Sequence, residues 1–81
     1  MRRVGHCKMD RVFLSRCLAE AEEHISRGEL CLARQRAVIA ALEARGLDTD
    51  ESKRMLACFE EAQATHIRDR NELLWQLNQN T

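Results

Sequence analysis

A seven-residue repeat of apolar positions constrains the fold of this chain more than any other feature. From Leu14 to Leu42, mostly apolar residues recur at alternating intervals of four and three. This spacing predicts a long α-helix with these residues along one side: Leu14, Leu18, Ala21, Ile25, Gly28, Leu32, Gln35, Ile39 and Leu42. A second row at seven-residue spacing, Cys17, His24, Cys31 and Val38, widens the stripe. A stripe of this width is typical of a helix with more than one helical neighbour.

The end of this repeat carries the signals of a tight helix–helix turn. We predict a first helix over residues 9–45, a loop over 46–49 and a second helix over 50–78. Gly46 follows the last repeat position, where glycine commonly ends a helix in the left-handed conformation. Asp48 or Thr49 can cap the second helix. So short a loop makes the two helices antiparallel neighbours.

The second helix repeats the same spacing, but its middle is polar. Its stripe consists of Leu56, Phe59, Gln63, His66, Arg70, Leu73 and Leu77. Folding the hairpin about its loop is expected to set Gly28 against His66 and Ile67, and Ile25 against Arg70. The side chains of Gln35, Gln63, His66 and Arg70 then form a polar layer. Such a layer fixes the register and oligomeric state of a coiled coil.

Composition excludes most other folds. The chain has no proline, three glycines and 4% aromatic residues, which argues against a β-sandwich or barrel. With 44% apolar residues and no net charge, it is also unlike a disordered chain. It has no apolar run long enough for a membrane span and no signal-peptide core near Met1. The fold class is therefore all-α, and we expect a cytoplasmic protein that does not contact membranes.

One hairpin leaves much of each stripe in water, because a chain of this size buries only about 60–65% of its unfolded surface. We therefore expect two hairpins to pair into a homodimeric four-helix bundle. A helix of a different protein is the alternative partner. The residues expected to carry these contacts are Leu18, Ile25, Leu32, Ile39, Leu56, Phe59, Leu73, Trp75 and Leu77.

These features favour a non-enzymatic interaction or regulatory module. The serines and threonines show no spacing typical of a nucleophile with its base, no glycine-rich loop is present, and no cofactor is expected. Residues 1–8 are predicted to form a flexible basic arm, and nucleic-acid binding through it is one alternative. The other is a metal-responsive switch, for which His24 and His66 are weak candidate ligands. Cys17, Cys31 and Cys58 are predicted to be small apolar packing residues.

Several segments together resemble a known group of sequences. They are the run His24-Ile25-x-x-Gly28-Glu29, Ala33-Arg34-Gln35, Leu42-Glu43, Gly46, Asp48-Thr49, Phe59-Glu60 and His66-x-x-Asp69-Arg70. This pattern, over residues 12–77, is similar to short uncharacterised helical-hairpin proteins of soil-dwelling and plant-associated proteobacteria. The resemblance implies a bacterial, cytosolic setting and the same hairpin. It carries no assigned activity, and so no catalytic residue to transfer.

Overall fold

The protein is an antiparallel pair of long helices. The computed structural model describes the backbone of residues 3–79 and the side chains of residues 11–79. Helix α1 spans Arg3–Ala44 and helix α2 spans Asp50–Gln79, and the two pack along their length. No strand occurs in this described part of the chain. The predicted all-α hairpin is confirmed.

Helix α1 begins earlier than the sequence pattern indicated. Its first residue is Arg3 rather than Met9, so helical backbone covers most of the segment that we expected to be a flexible arm. The basic side chains of Arg2, Arg3 and Lys8 lie outside the described side chains. Their binding to nucleic acid therefore stays a prediction.

The turn between the helices is built from two local motifs. Gly46 has φ 68°, which confirms the predicted left-handed C-terminal residue. Its N–H donates to Glu43 O at 3.0 Å, and the Leu47 N–H donates to Leu42 O at 2.9 Å, so these two bonds close α1. At the start of α2, Asp48 Oδ1 accepts the Asp50 N–H at 3.0 Å. The carbonyl of Thr49 accepts the first helical bond, from Lys53 N–H at 2.9 Å.

The core between the helices is thin. Its buried apolar residues are Leu14, Ala21 and Ile39, at 9%, 8% and 8% exposure. No large side chain among residues 11–79 is fully buried. The large apolar side chains left exposed are Val12, Phe13, Leu30, Val38, Leu47, Met55, Leu74 and Trp75. A single hairpin therefore leaves much of its apolar surface in water.

Neither helix qualifies as a membrane-crossing segment within the described residues, because charged side chains interrupt every apolar stretch.

Candidate functional site

The two helices approach closely at Gly28 near the middle of the hairpin. The side chain of Gln63 from α2 lies against this glycine and is 5% exposed. A Cβ atom at position 28 would lie 2.8 Å from Gln63 Cδ and would overlap Gln63 Oε1. Only a residue without a side chain leaves room for the Gln63 amide, which explains a glycine in the interior of a long helix.

The Gln63 amide is held at one end only. Its Nε2 donates to the carbonyl of Ile25 at 2.9 Å, across the helix pair. Its Oε1 is buried and has no hydrogen-bond partner among the described residues. This oxygen lies against Gly28, where a Cβ atom would take its place. The arrangement fixes the position of α2 relative to α1 at the cost of a buried acceptor.

This packing corrects the predicted pairing of the helices. Gly28 contacts Gln63 rather than His66 and Ile67, and Gln63 rather than Arg70 reaches Ile25. The register differs from the prediction by about one helical turn. A shift of one turn still sets apolar positions against apolar positions, so the repeat alone does not distinguish the two registers. The fit of Gln63 against Gly28 distinguishes them, because it is possible in the observed register only.

The predicted polar layer consists of separate contacts in the structure. Gln35 Nε2 donates to the Ser52 carbonyl at 3.0 Å, so it bonds backbone as Gln63 does. Half-buried Arg70 bonds its exposed neighbour Asn71 on the same helix at 3.2 Å. His66 is half-buried and contacts His24 of α1, which is exposed. Of the contacts made by the predicted polar layer in the described part of the chain, the His24–His66 contact alone joins two titratable side chains across the helices.

The two imidazole rings stack beside the Gly28–Gln63 contact. Their centroids are 5.2 Å apart, and their planes differ by 11°. They line a shallow cavity of about 220 Å³, together with Cys31, Phe59 and Ala62. Arg27 also borders the cavity, and its guanidinium pairs with Glu23 at 2.9 Å. Sequence reasoning did not place Arg27 or Cys31 here, although Cys31 shares the seven-residue row of His24.

The two long sides of the hairpin differ in chemistry. On one side, which we call the charged side, ion pairs cross between the helices: Arg36–Glu60 at 3.4 Å and Lys53–Glu43 at 3.3 Å. The opposite side, which we call the apolar side, carries Cys17, His24, Cys31 and Val38 of α1 and Met55 and Ala62 of α2. Toward the open end the contrast fades, because the α2 row of the apolar side continues as Asp69 and Gln76 and that of the charged side as Ile67 and Leu74. The residues of each row are seven apart, and so share a face. The cavity joins the α1 and α2 rows, because residues of both line it.

The remaining predicted contact residues divide into two groups. Ile39 is buried, and seven others are half-buried along the seam between the helices: Leu18, Ile25, Leu32, Leu56, Phe59, Leu73 and Leu77. Trp75 is 59% exposed and lies on neither the seam nor the apolar side. Cys17 is half-buried, whereas Cys31 and Cys58 are exposed rather than packed as predicted.

The described residues of one copy do not supply enough ligands to hold a metal ion. No cluster of three or more histidine, cysteine, aspartate or glutamate side chains suited to a metal ion occurs among the described residues. The His24–His66 pair therefore supplies two ligands at most.

Comparison with protein-family models, with curated proteins and with solved structures finds no match to this chain.

Proposed function

We propose that this protein is a non-enzymatic interaction module whose apolar side binds a second copy of the same chain, giving an antiparallel four-helix bundle. The observation that carries the proposal is the difference between the two sides. The charged side is crossed by ion pairs that remain more than half exposed. The apolar side leaves Val38 and Met55 at 46% and 47% exposure with no apolar neighbour element to cover them.

The length of the hairpin is sufficient for a stable pair. The Cα atoms of the hairpin extend over 65 × 15 × 14 Å. One full long side then offers on the order of 1,000 Å², and a specific interface buries about 800 Å² on each partner. The contact must therefore extend beyond residues 17–38 of α1, which cover about 32 Å of that length. A second copy also supplies what the hairpin lacks, because four helices enclose the large side chains that two leave half-buried.

Repulsion between the two basic open ends favours an antiparallel arrangement of the two copies. Residues 1–16 contain five basic residues and one acidic residue, and the rest of the chain carries an equal and opposite excess. A twofold axis across the middle of the apolar side sets the basic open end of each hairpin beside the loop end of the other. The loop end is balanced in charge, because Asp48, Asp50 and Glu51 are offset by Arg45, Lys53 and Arg54, so this arrangement keeps the two basic ends apart.

The test is the mass in solution, measured by light scattering with and without reducing agent. We expect a dimer in both conditions. The Ala62→Glu variant places a charge in the middle of the apolar side and should be monomeric. The matched control is Ala57→Glu, the same change at an exposed alanine of α2 outside the apolar side, and it should remain dimeric.

Far-UV circular dichroism shows whether Ala62→Glu still forms helices, and Val38→Glu repeats the test from α1. A wild-type monomer would overturn the proposal and point to a helix of another protein on the apolar side. A dimer that persists in both Ala62→Glu and Val38→Glu would also overturn it. A dimer found only without reducing agent would mean that cysteines, rather than the apolar side, join the chains.

A further inference from the structure

In the dimer proposed above, the histidine pair lies near the middle of the shared face, where identical residues of the two copies would come together. His24 and Gly28 are near the middle of α1, and Gln63 and His66 are near the middle of α2. In a dimer whose copies overlap along their full length, the twofold axis crosses the middle of the shared face. Residues next to such an axis meet their own copies. The cavity beside the histidines opens at this position on the apolar side.

We propose that His24 and His66 of two copies together bind one divalent transition-metal ion such as zinc. This inference rests on the proposed dimer, because a single copy supplies two imidazoles and the second copy supplies the other two. Imidazole nitrogen is a preferred ligand of zinc, copper and nickel. Four such ligands give zinc its usual tetrahedral coordination, at about 2.0–2.1 Å.

Pairing of the hairpins buries ring nitrogens of these histidines, which then require a ligand or a hydrogen-bond partner. In the single hairpin the two rings stack on each other, and His24 is exposed to solvent. A second hairpin on the apolar side removes that solvent, and a buried polar nitrogen without a partner is costly. A metal ion at the axis satisfies one nitrogen of each of the four rings.

Two features of the pocket allow this geometry. Parallel ring planes cannot both contain one ion, so the rings must turn from their stack, and the shallow cavity that they line leaves space for this movement. The nearest cation, Arg27, is already paired with Glu23 at 2.9 Å, which reduces its repulsion of a metal ion. Cys31 lies seven residues from His24, about 10 Å along the helix, which is too far for both to bind one ion.

The test uses untagged full-length protein, first stripped of metal with a chelator, and titrates it with zinc by calorimetry. Cobalt(II) then reports the geometry, since a tetrahedral site gives a strong visible absorption. We expect one ion per two chains, with loss of this binding in His24→Ala and in His66→Ala. His6→Ala, a histidine change outside the pair, and Cys31→Ser, a change in the same cavity, should both keep it.

The mass of each sample separates this inference from the proposed function. A dimer that binds no zinc, or binds it equally in His24→Ala and His66→Ala, would overturn the metal site and leave the dimer intact. Loss of binding in Cys31→Ser but not in the histidine variants would also overturn the site. A chain that is monomeric with chelator and dimeric with zinc would support the site and contradict a dimer formed by apolar contact alone.

Discussion

At the residue scale, Gly28 and Gln63 act as one unit. Glycine inside a helix costs about 1 kcal/mol relative to alanine, yet a Cβ at position 28 overlaps the Gln63 amide. We expect Gly28→Ala to lower the free energy of unfolding by about 1–2 kcal/mol, because the added methyl group overlaps the Gln63 side chain and forces the packed helices apart. Urea unfolding followed by circular dichroism, at one fixed protein concentration, measures this.

The double variant tests the reason for that loss. In a Gln63→Ala background the overlap is gone, so Gly28→Ala should then stabilise the protein by about 1 kcal/mol through helix propensity alone. A reversal of sign between the two backgrounds is the expected result. If Gly28→Ala changes the free energy of unfolding equally in the wild-type and Gln63→Ala backgrounds, then the glycine is not needed to make room for Gln63.

The orphaned oxygen of Gln63 gives a second prediction at this scale. Methionine has nearly the shape of glutamine and no polar atom to satisfy. Gln63→Met should raise the free energy of unfolding by about 1 kcal/mol, since it removes a buried unpaired acceptor and leaves the Ile25 carbonyl its helical bond. Lower stability by the same urea measurement would mean that the bond of Gln63 outweighs its unpaired oxygen.

At the element scale, the turn depends on the backbone of Gly46. Its φ of 68° is unfavourable for residues with a side chain, while nothing lies within 4 Å of a Cβ placed there. Gly46→Ala should therefore destabilise the hairpin by about 1 kcal/mol through conformation alone. Gly46→Asn should cost less, because asparagine adopts the left-handed conformation more readily. Equal losses in the two variants, measured by thermal unfolding, would count against this explanation.

The ion pairs of the charged side contribute little to stability. Arg36 and Glu60 are 58% and 51% exposed, and Lys53 and Glu43 are 56% and 55% exposed. Exposed pairs of this kind are worth about 0–1 kcal/mol and weaken in salt. Both pairs cross between the helices on the same side of the hairpin, and so they mark that side as charged near the loop.

At the scale of the whole molecule, stability should depend on protein concentration. If two hairpins share one core, mass action raises the melting temperature as concentration increases. We expect the melting temperature of the wild-type protein and of Ala57→Glu to rise over a hundredfold concentration range. The melting temperature of Ala62→Glu should be lower and independent of concentration. A constant melting temperature in the wild-type protein would contradict a shared core.

Trp75 reports which face is used, because it is the only tryptophan. It is 59% exposed and lies outside the apolar side, so pairing through that side leaves it in water. Acrylamide should quench its fluorescence equally in the wild-type dimer and in monomeric Ala62→Glu. Protection of Trp75 in the dimer alone would place the interface on a different face of α2.

The sequence by itself determined the local features of this protein. The alternation of four and three residues specifies long helices with an apolar stripe, and Gly46 with Asp48 and Thr49 specifies a short turn between them. These follow from sequence because each depends on neighbours within a turn or two of helix. The candidate site was predicted in part for the same reason: His24, Gln63 and His66 stood out as polar residues on or beside apolar stripes.

Only the tertiary structure decided the register and the contacts that depend on it. A repeat of similar apolar residues is nearly indifferent to a shift of one turn, so the sequence pattern set Gly28 against His66. Packing in three dimensions favours the register in which the Gln63 amide occupies the gap at Gly28 and bonds the Ile25 carbonyl. That choice brings His24 and His66 together at one cavity. The two rings stack there because this register sets them opposite each other across the helices.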